Sequence, residues 1–63
     1  MMKLYDMAMA ISDPEMPVTL IDDRSGRICF ERTAEDLLDY SGIDYRRVSS
    51  VNVRNNRLEL LIR

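Results

Sequence analysis

Asn55-Asn56 lies between two stretches that alternate in polarity, and this constrains the fold more than any other part of the chain. Asparagine tolerates positive φ, so two in a row suit the type I′ turn of a tight β-hairpin. With strands at 46–54 and 57–63, that turn sets Arg54 opposite Arg57, Val53 opposite Leu58, Val51 opposite Leu60 and Ser49 opposite Ile62. One face then carries Val51, Val53, Leu58, Leu60 and Ile62, and the other Asn52, Arg54, Arg57, Glu59 and Arg63. A slip of one residue would exchange the faces, so turn chemistry and alternation point to a single register.

A lone hairpin is unstable in water, and its apolar face calls for further strands or helices. The stretches 18–22 and 27–31 supply another hairpin, rich in β-branched and aromatic residues and joined by Asp23-Arg24-Ser25-Gly26. Gly26 suits the left-handed position that closes a type I turn. Pairing Asp22 with Arg27 places Thr19, Ile21, Ile28 and Phe30 on one face, and Val18, Leu20, Cys29 and Glu31 on the other. With apolar residues on both faces, this hairpin is expected to be central in its sheet.

Residues 3–12 fit both a strand, with Tyr5, Met7, Met9 and Ile11 in line, and a helix, with Leu4, Met7, Ala8 and Ile11 as its stripe. Leu, Met and Ala are good helix formers, and Ser12-Asp13-Pro14 is a natural stop, so the composition favours helix. A second short helix is expected after Thr33 as N-cap, with Asp36 as the capping-box acid. Ala34, Leu37, Leu38 and Ser41 form its inward stripe, and Gly42 its left-handed terminator with Ile43 packing behind it. The expected fold is α+β in the order α-β-β-α-β-β: a four-stranded antiparallel sheet with two short helices on one face. The alternative is a small SH3-like or Sm-like barrel with an N-terminal helix.

Size limits the rest. The 63 residues make a single domain, 1–63, and a chain this short buries only about 60% of the surface it exposes when unfolded. Small domains gain stability from disulfides, metals or self-association. One cysteine, Cys29, and no histidine exclude an internal disulfide, a Cys/His zinc site and a Cys–His nucleophile. Cys29 is expected to be a packed, inert thiol. No apolar run approaches the roughly 20 residues of a membrane span, and no secretory leader pattern is present, so a cytoplasmic chain is expected.

No catalytic, metal or cofactor motif emerges. Asp22 and Asp23 belong to a turn, Asp13 and Glu15 lack calcium-loop spacing, and the two glycines fit no phosphate-cradling pattern. Glu31, Glu35, Asp36 and Asp39 make an acidic surface around the second helix. Residues 44–63 carry five arginines against two acids, whereas residues 1–43 carry four basic residues against nine acids. Arg46, Arg47, Arg54 and Arg57 are therefore the candidate nucleic-acid contacts of an alternative reading. Edge protection explains the same arginines, and an overall charge of −2 opposes non-specific nucleic-acid binding.

The first helix is more suggestive. Tyr5 and Met9 extend its apolar arc to about 200°, more than one sheet face covers. All five methionines fall within residues 1–16, and methionines with a tyrosine make adaptable contact surfaces. Tyr5 and Met9 are thus the candidate interaction surface of a non-enzymatic, self-associating module.

This arrangement resembles small accessory proteins encoded by phages and conjugative elements of Gram-positive bacteria. The resemblance rests on the short N-terminal helix, the loop Asp13-Pro14-Glu15-Met16-Pro17, the hairpin of 18–22 with 26–31, and the terminal hairpin of 48–53 with 58–62. Arg32-Thr33 stands where such chains often carry a glycine. The resemblance implies a regulator or inhibitor that acts by binding a host protein.

Overall fold

The structure is a computed structural model that describes residues 1–63. Five strands and two helices follow one another as β1 (Met2–Lys3), α1 (Leu4–Ala10), β2 (Pro17–Asp22), β3 (Ile28–Thr33), α2 (Ala34–Leu37), β4 (Arg47–Arg54) and β5 (Arg57–Ile62). The strands form one open sheet in the order β1-β4-β5-β2-β3. An α+β fold is therefore present, with no closed barrel. The sheet departs from the expected four antiparallel strands in two ways. Met2–Lys3, too short to carry a periodic signal, adds an edge strand beside Val48 and Arg47. The two hairpins also meet through β2 and β5, which run parallel, with Leu20 beside Leu60.

One face of the sheet holds the core. Val18 and Leu20 of β2, Val48 of β4, and Leu60 and Ile62 of β5 pack with Leu4 and Ala8 of α1, Ala34 and Leu37 of α2, and Ile43. Met7 and Ile11 complete the α1 stripe as partly buried side chains, so the helical reading of this segment holds. Both helices lie on that face.

The turns behave as their residues dictate. Asn55 and Asn56 take φ of 53° and 60°, and Arg54 pairs with Arg57, as type I′ geometry requires. Gly26 sits at φ 74° and its N–H donates to the Asp22 carbonyl. Beyond each turn, however, a bulge resets the register. Leu20 pairs with Phe30 but Ile21 with Ile28, so Cys29 is the extra residue. Phe30 consequently turns to the core face, where its ring meets Tyr40 edge-on at 5.9 Å, and Glu31 turns to the open face beside Thr19. A second irregularity at Ser49 sets Val48, not Ser49, opposite Ile62. Only β2 of the first hairpin is central; β3 forms an edge, and Cys29 is exposed rather than packed.

The second helix is a single turn. Thr33 precedes it with its hydroxyl 3.3 Å from Asp36 Oδ2, but the first free N–H groups, of Ala34 and Glu35, donate to the carbonyls of Met16 and Pro14. The 11–16 loop thus caps it from outside. After Leu37 the chain winds through successive turns to Arg46, which leaves Leu38 and Ser41 exposed and carries Ile43 into the core. Gly42 is not left-handed as expected. It is required by space: a Cβ there would lie 2.7 Å from both Arg46 Cγ and the Tyr40 ring.

Candidate functional site

The arginine-rich hairpin places its charges at two separate ends. Arg54 and Arg57 flank the tip, whereas Arg46 and Arg47 precede or begin β4 at its base. At about 3.3 Å per residue, the eight residues of β4 separate the two groups by roughly 23 Å. The four arginines proposed as nucleic-acid contacts are therefore not one patch.

At the tip, both arginines lie over the helix-free face with acidic neighbours. Arg54 Nε is 3.9 Å from Glu59 Oε1, and Arg57 Nη1 is 4.0 Å from Glu31 Oε2. The same Arg57 nitrogen donates to Thr19 Oγ1 at 3.2 Å. Thr19 stands between Glu31 and Glu59 in register, and it is only 3% exposed on a face that no helix covers. The arginine stem and head form its lid.

The base collects a different set. The parallel pairing brings the end of β2 beside the end of β5, so the turn after Asp22 reaches Arg63. Asp22, Arg24, Tyr45, Arg46 and Arg63 line an open cleft of about 330 Å³. Asp22 Oδ1 accepts the N–H groups of Arg24 at 2.8 Å and Ser25 at 3.2 Å, and Oδ2 accepts Arg46 Nη2 at 3.4 Å. Those backbone donors first, and Arg46 second, hold the Asp22 carboxyl below its usual range. Asp23 Oδ2 accepts Arg63 Nε at 2.8 Å and the Ser49 hydroxyl at 3.3 Å, and Arg63 lowers the Asp23 pKa. Arg47 and Arg63 exchange backbone hydrogen bonds, which sets the two arginines directly opposite one another. Arg46 Nε is buried without a partner. Arg24 forms no ion pair.

Two apolar surfaces remain uncovered. Tyr5 and Met9 are both exposed, and Met9 borders a groove shared with Ala8, Ile11, Ala34 and Leu38. The second surface is the outer edge of β4. Val51 and Val53 lie on the core face opposite Leu60 and Leu58, yet Val53 is 76% exposed because the helices stop short of the tip. In a two-residue hairpin the closing pair is hydrogen-bonded and bonded pairs then alternate. Arg54, Asn52 and Ser50 accordingly bond inward to β5, and the N–H and C=O groups of Val51 and Val53 point outward. β1 covers this edge only beside Arg47 and Val48.

No group of three or more carboxylate or thiol side chains comes together in a metal-binding arrangement. No helix is long and apolar enough to cross a membrane. No family model, curated protein or solved structure matches the chain.

Sequence reasoning singled out Arg46 and Arg47 but missed Arg24, which only the parallel β2–β5 pairing places beside them, and Arg63, which the irregularity at Ser49 sets opposite Arg47 within the hairpin. It also placed Val51 and Val53 correctly on the apolar face without showing that the face runs past its cover.

Proposed function

We propose that the chain is a non-enzymatic interaction module that self-associates by pairing the outer edge of β4 with the same edge of a second copy. The observation that supports this reading is the unpaired backbone at Val51 and Val53, flanked by their own exposed side chains. Unpaired edges with apolar side chains are templates for strand addition, and proteins usually block them with charge, proline or a covering segment. Here β1 blocks only the first two residues of β4.

The edge is self-complementary. An antiparallel two-fold pairing centred on Asn52 sets Val51 against the partner's Val53, and Val53 against the partner's Val51. Four backbone hydrogen bonds form. Arg54 then faces the partner's Ser50 rather than another arginine. Two-fold pairing of identical patches is the commonest route to an oligomer. Partial burial of four valines and four added hydrogen bonds give a weak dimer, with a dissociation constant on the order of 100 µM once the cost of association is included. The resemblance to mobile-element accessory proteins fits a small module that acts through protein contacts, with Tyr5 and Met9 as the surface left free for a foreign partner.

Sedimentation equilibrium from about 10 µM to 1 mM, a range bracketing that expected affinity, tests the proposal. The wild type should shift from monomer to dimer. Val51→Pro removes an outward N–H without taking a bond from the β4–β5 ladder, so it should remain monomeric with an unchanged circular dichroism spectrum. A wild type that stays monomeric at the highest concentration overturns the reading. A dimer retained by Val51→Pro but lost with Tyr5→Glu and Met9→Lys moves the interface to α1.

A further inference from the structure

We propose that the cleft at the base of the β4–β5 hairpin binds a phosphate monoester. Three arginines, Arg24, Arg46 and Arg63, line the cleft, with Arg47 opposite Arg63 across the strand pair, while Asp22 hydrogen-bonds to Arg46 and Asp23 to Arg63. This is the reverse of the whole chain, whose formal charge is −2. Like charges placed opposite one another across a strand pair are destabilising unless something lies between or beside them.

The two aspartates leave donors in hand. Asp22 gives one oxygen to the turn N–H groups of Arg24 and Ser25, and its other oxygen meets Arg46 at a long 3.4 Å. Arg46 contributes only Nη2 to that contact, and its buried Nε has no partner. Its Cγ lies so close to Gly42 that a Cβ there would clash, and Asp22 holds Nη2, so stem and head are both constrained before any ligand arrives. A guanidinium presents donors in a flat fork that matches the oxygens of a phosphate, and a buried unpaired N–H is costly to leave unmade. Arg24 lies at the rim without an acidic partner and is free to close on the same anion. A volume of about 330 Å³ exceeds what a bare phosphate fills, and Tyr45, 73% exposed, offers a ring beside the charged centre. Together these favour a phosphate carried on an organic group over a free inorganic ion.

Arginine Nε–Hε correlation spectra under titration test the site at constant ionic strength. Inorganic phosphate should move the Arg46 Nε–Hε signal saturably, with a dissociation constant of about 1–10 mM, as befits so small a ligand. Phenyl phosphate, which adds a ring for Tyr45, should bind more tightly. Arg24→Gln, which breaks no ion pair, should weaken both by about tenfold. Arg54→Gln with Arg57→Gln, at the far end of the strand, should leave both unchanged. An unsaturable shift, an equal response to chloride, or equal loss in the tip variant overturns the site. Binding of inorganic phosphate with no gain from phenyl phosphate overturns the monoester and leaves an anion site only.

Discussion

Both ends of the β4–β5 hairpin set a valine of β4 opposite an aliphatic residue of β5 on the same face, yet one end is core and the other is surface. At the base, Val48 and Ile62 are sealed by α1, β1 and the winding segment that carries Ile43. At the tip, Val53 and Leu58 occupy the same face with nothing above Val53. Polarity pattern decides which face a side chain occupies. Burial depends on whether another element reaches that far, and with helices of seven and four residues the cover runs out. The contrast separates two kinds of surface: the end that is packed presents a charged cleft, and the end that is not presents unpaired backbone and exposed valine.

Substitutions along the strands sharpen the comparison. The largest effect is expected at Leu60, fully buried midway between the ends: Leu60→Ala should lose about 2–5 kcal/mol and leave the domain largely unfolded by circular dichroism. Leu61→Ala, on the opposite face, should lose distinctly less, and a reversed order would mean the register is wrong. The sharper pair uses one residue type on one strand and one face. Val48→Ala should lose about 1–3 kcal/mol in urea denaturation, whereas Val53→Ala measured at low concentration should stay within about 0.5 kcal/mol. Equal effects would show that the tip is covered after all.

Acid should act on the base. The lowered carboxyls of Asp22 and Asp23 stabilise the folded state above their ordinary value of 3.8, and that contribution is lost as pH falls through the depressed values. Denaturation midpoints of the wild type and of Asp23→Asn should therefore differ at pH 7 and converge toward about pH 2. A difference that does not shrink on acidification would remove the ion pair with Arg63 as its source. The smallest change is expected at the tip from Arg54→Glu, which should leave the circular dichroism spectrum unaltered because its exposed pair with Glu59 contributes little. Retarded migration of RNA or DNA by the wild type, lost in that variant, would restore the nucleic-acid reading.

What the chain discloses in advance follows from local physics. The Asn55-Asn56 turn, Gly26, the α1 stripe and the apolar face of the terminal hairpin all rest on residues within a few positions of one another, and all are present. The misses arise where one extra residue or a distant strand intervenes. Nothing about Cys29 or Ser49 marks it as a bulge, yet each bulge changes which residue faces which. Parallel and antiparallel docking of the hairpins would both bury Val18, Leu20, Leu60 and Ile62, so the pattern does not choose between them. Arg24 was missed for the same reason, since it reaches the cleft only through that docking, whereas Arg63 comes opposite Arg47 through the Ser49 bulge.

The parallel seam between β2 and β5 also governs how quickly the molecule can assemble. Each hairpin closes over a short turn and can form within about 1–10 µs on its own. Joining them requires Leu20 to meet Leu60, 40 positions away, and even with both hairpins formed the segment between Thr33 and Arg47 must close before the contact gives any reward. Docking of two preformed hairpins is thus the slow step. Leu20→Ala should retard refolding, while Val53→Ala, distant from the seam, should leave the folding rate nearly untouched.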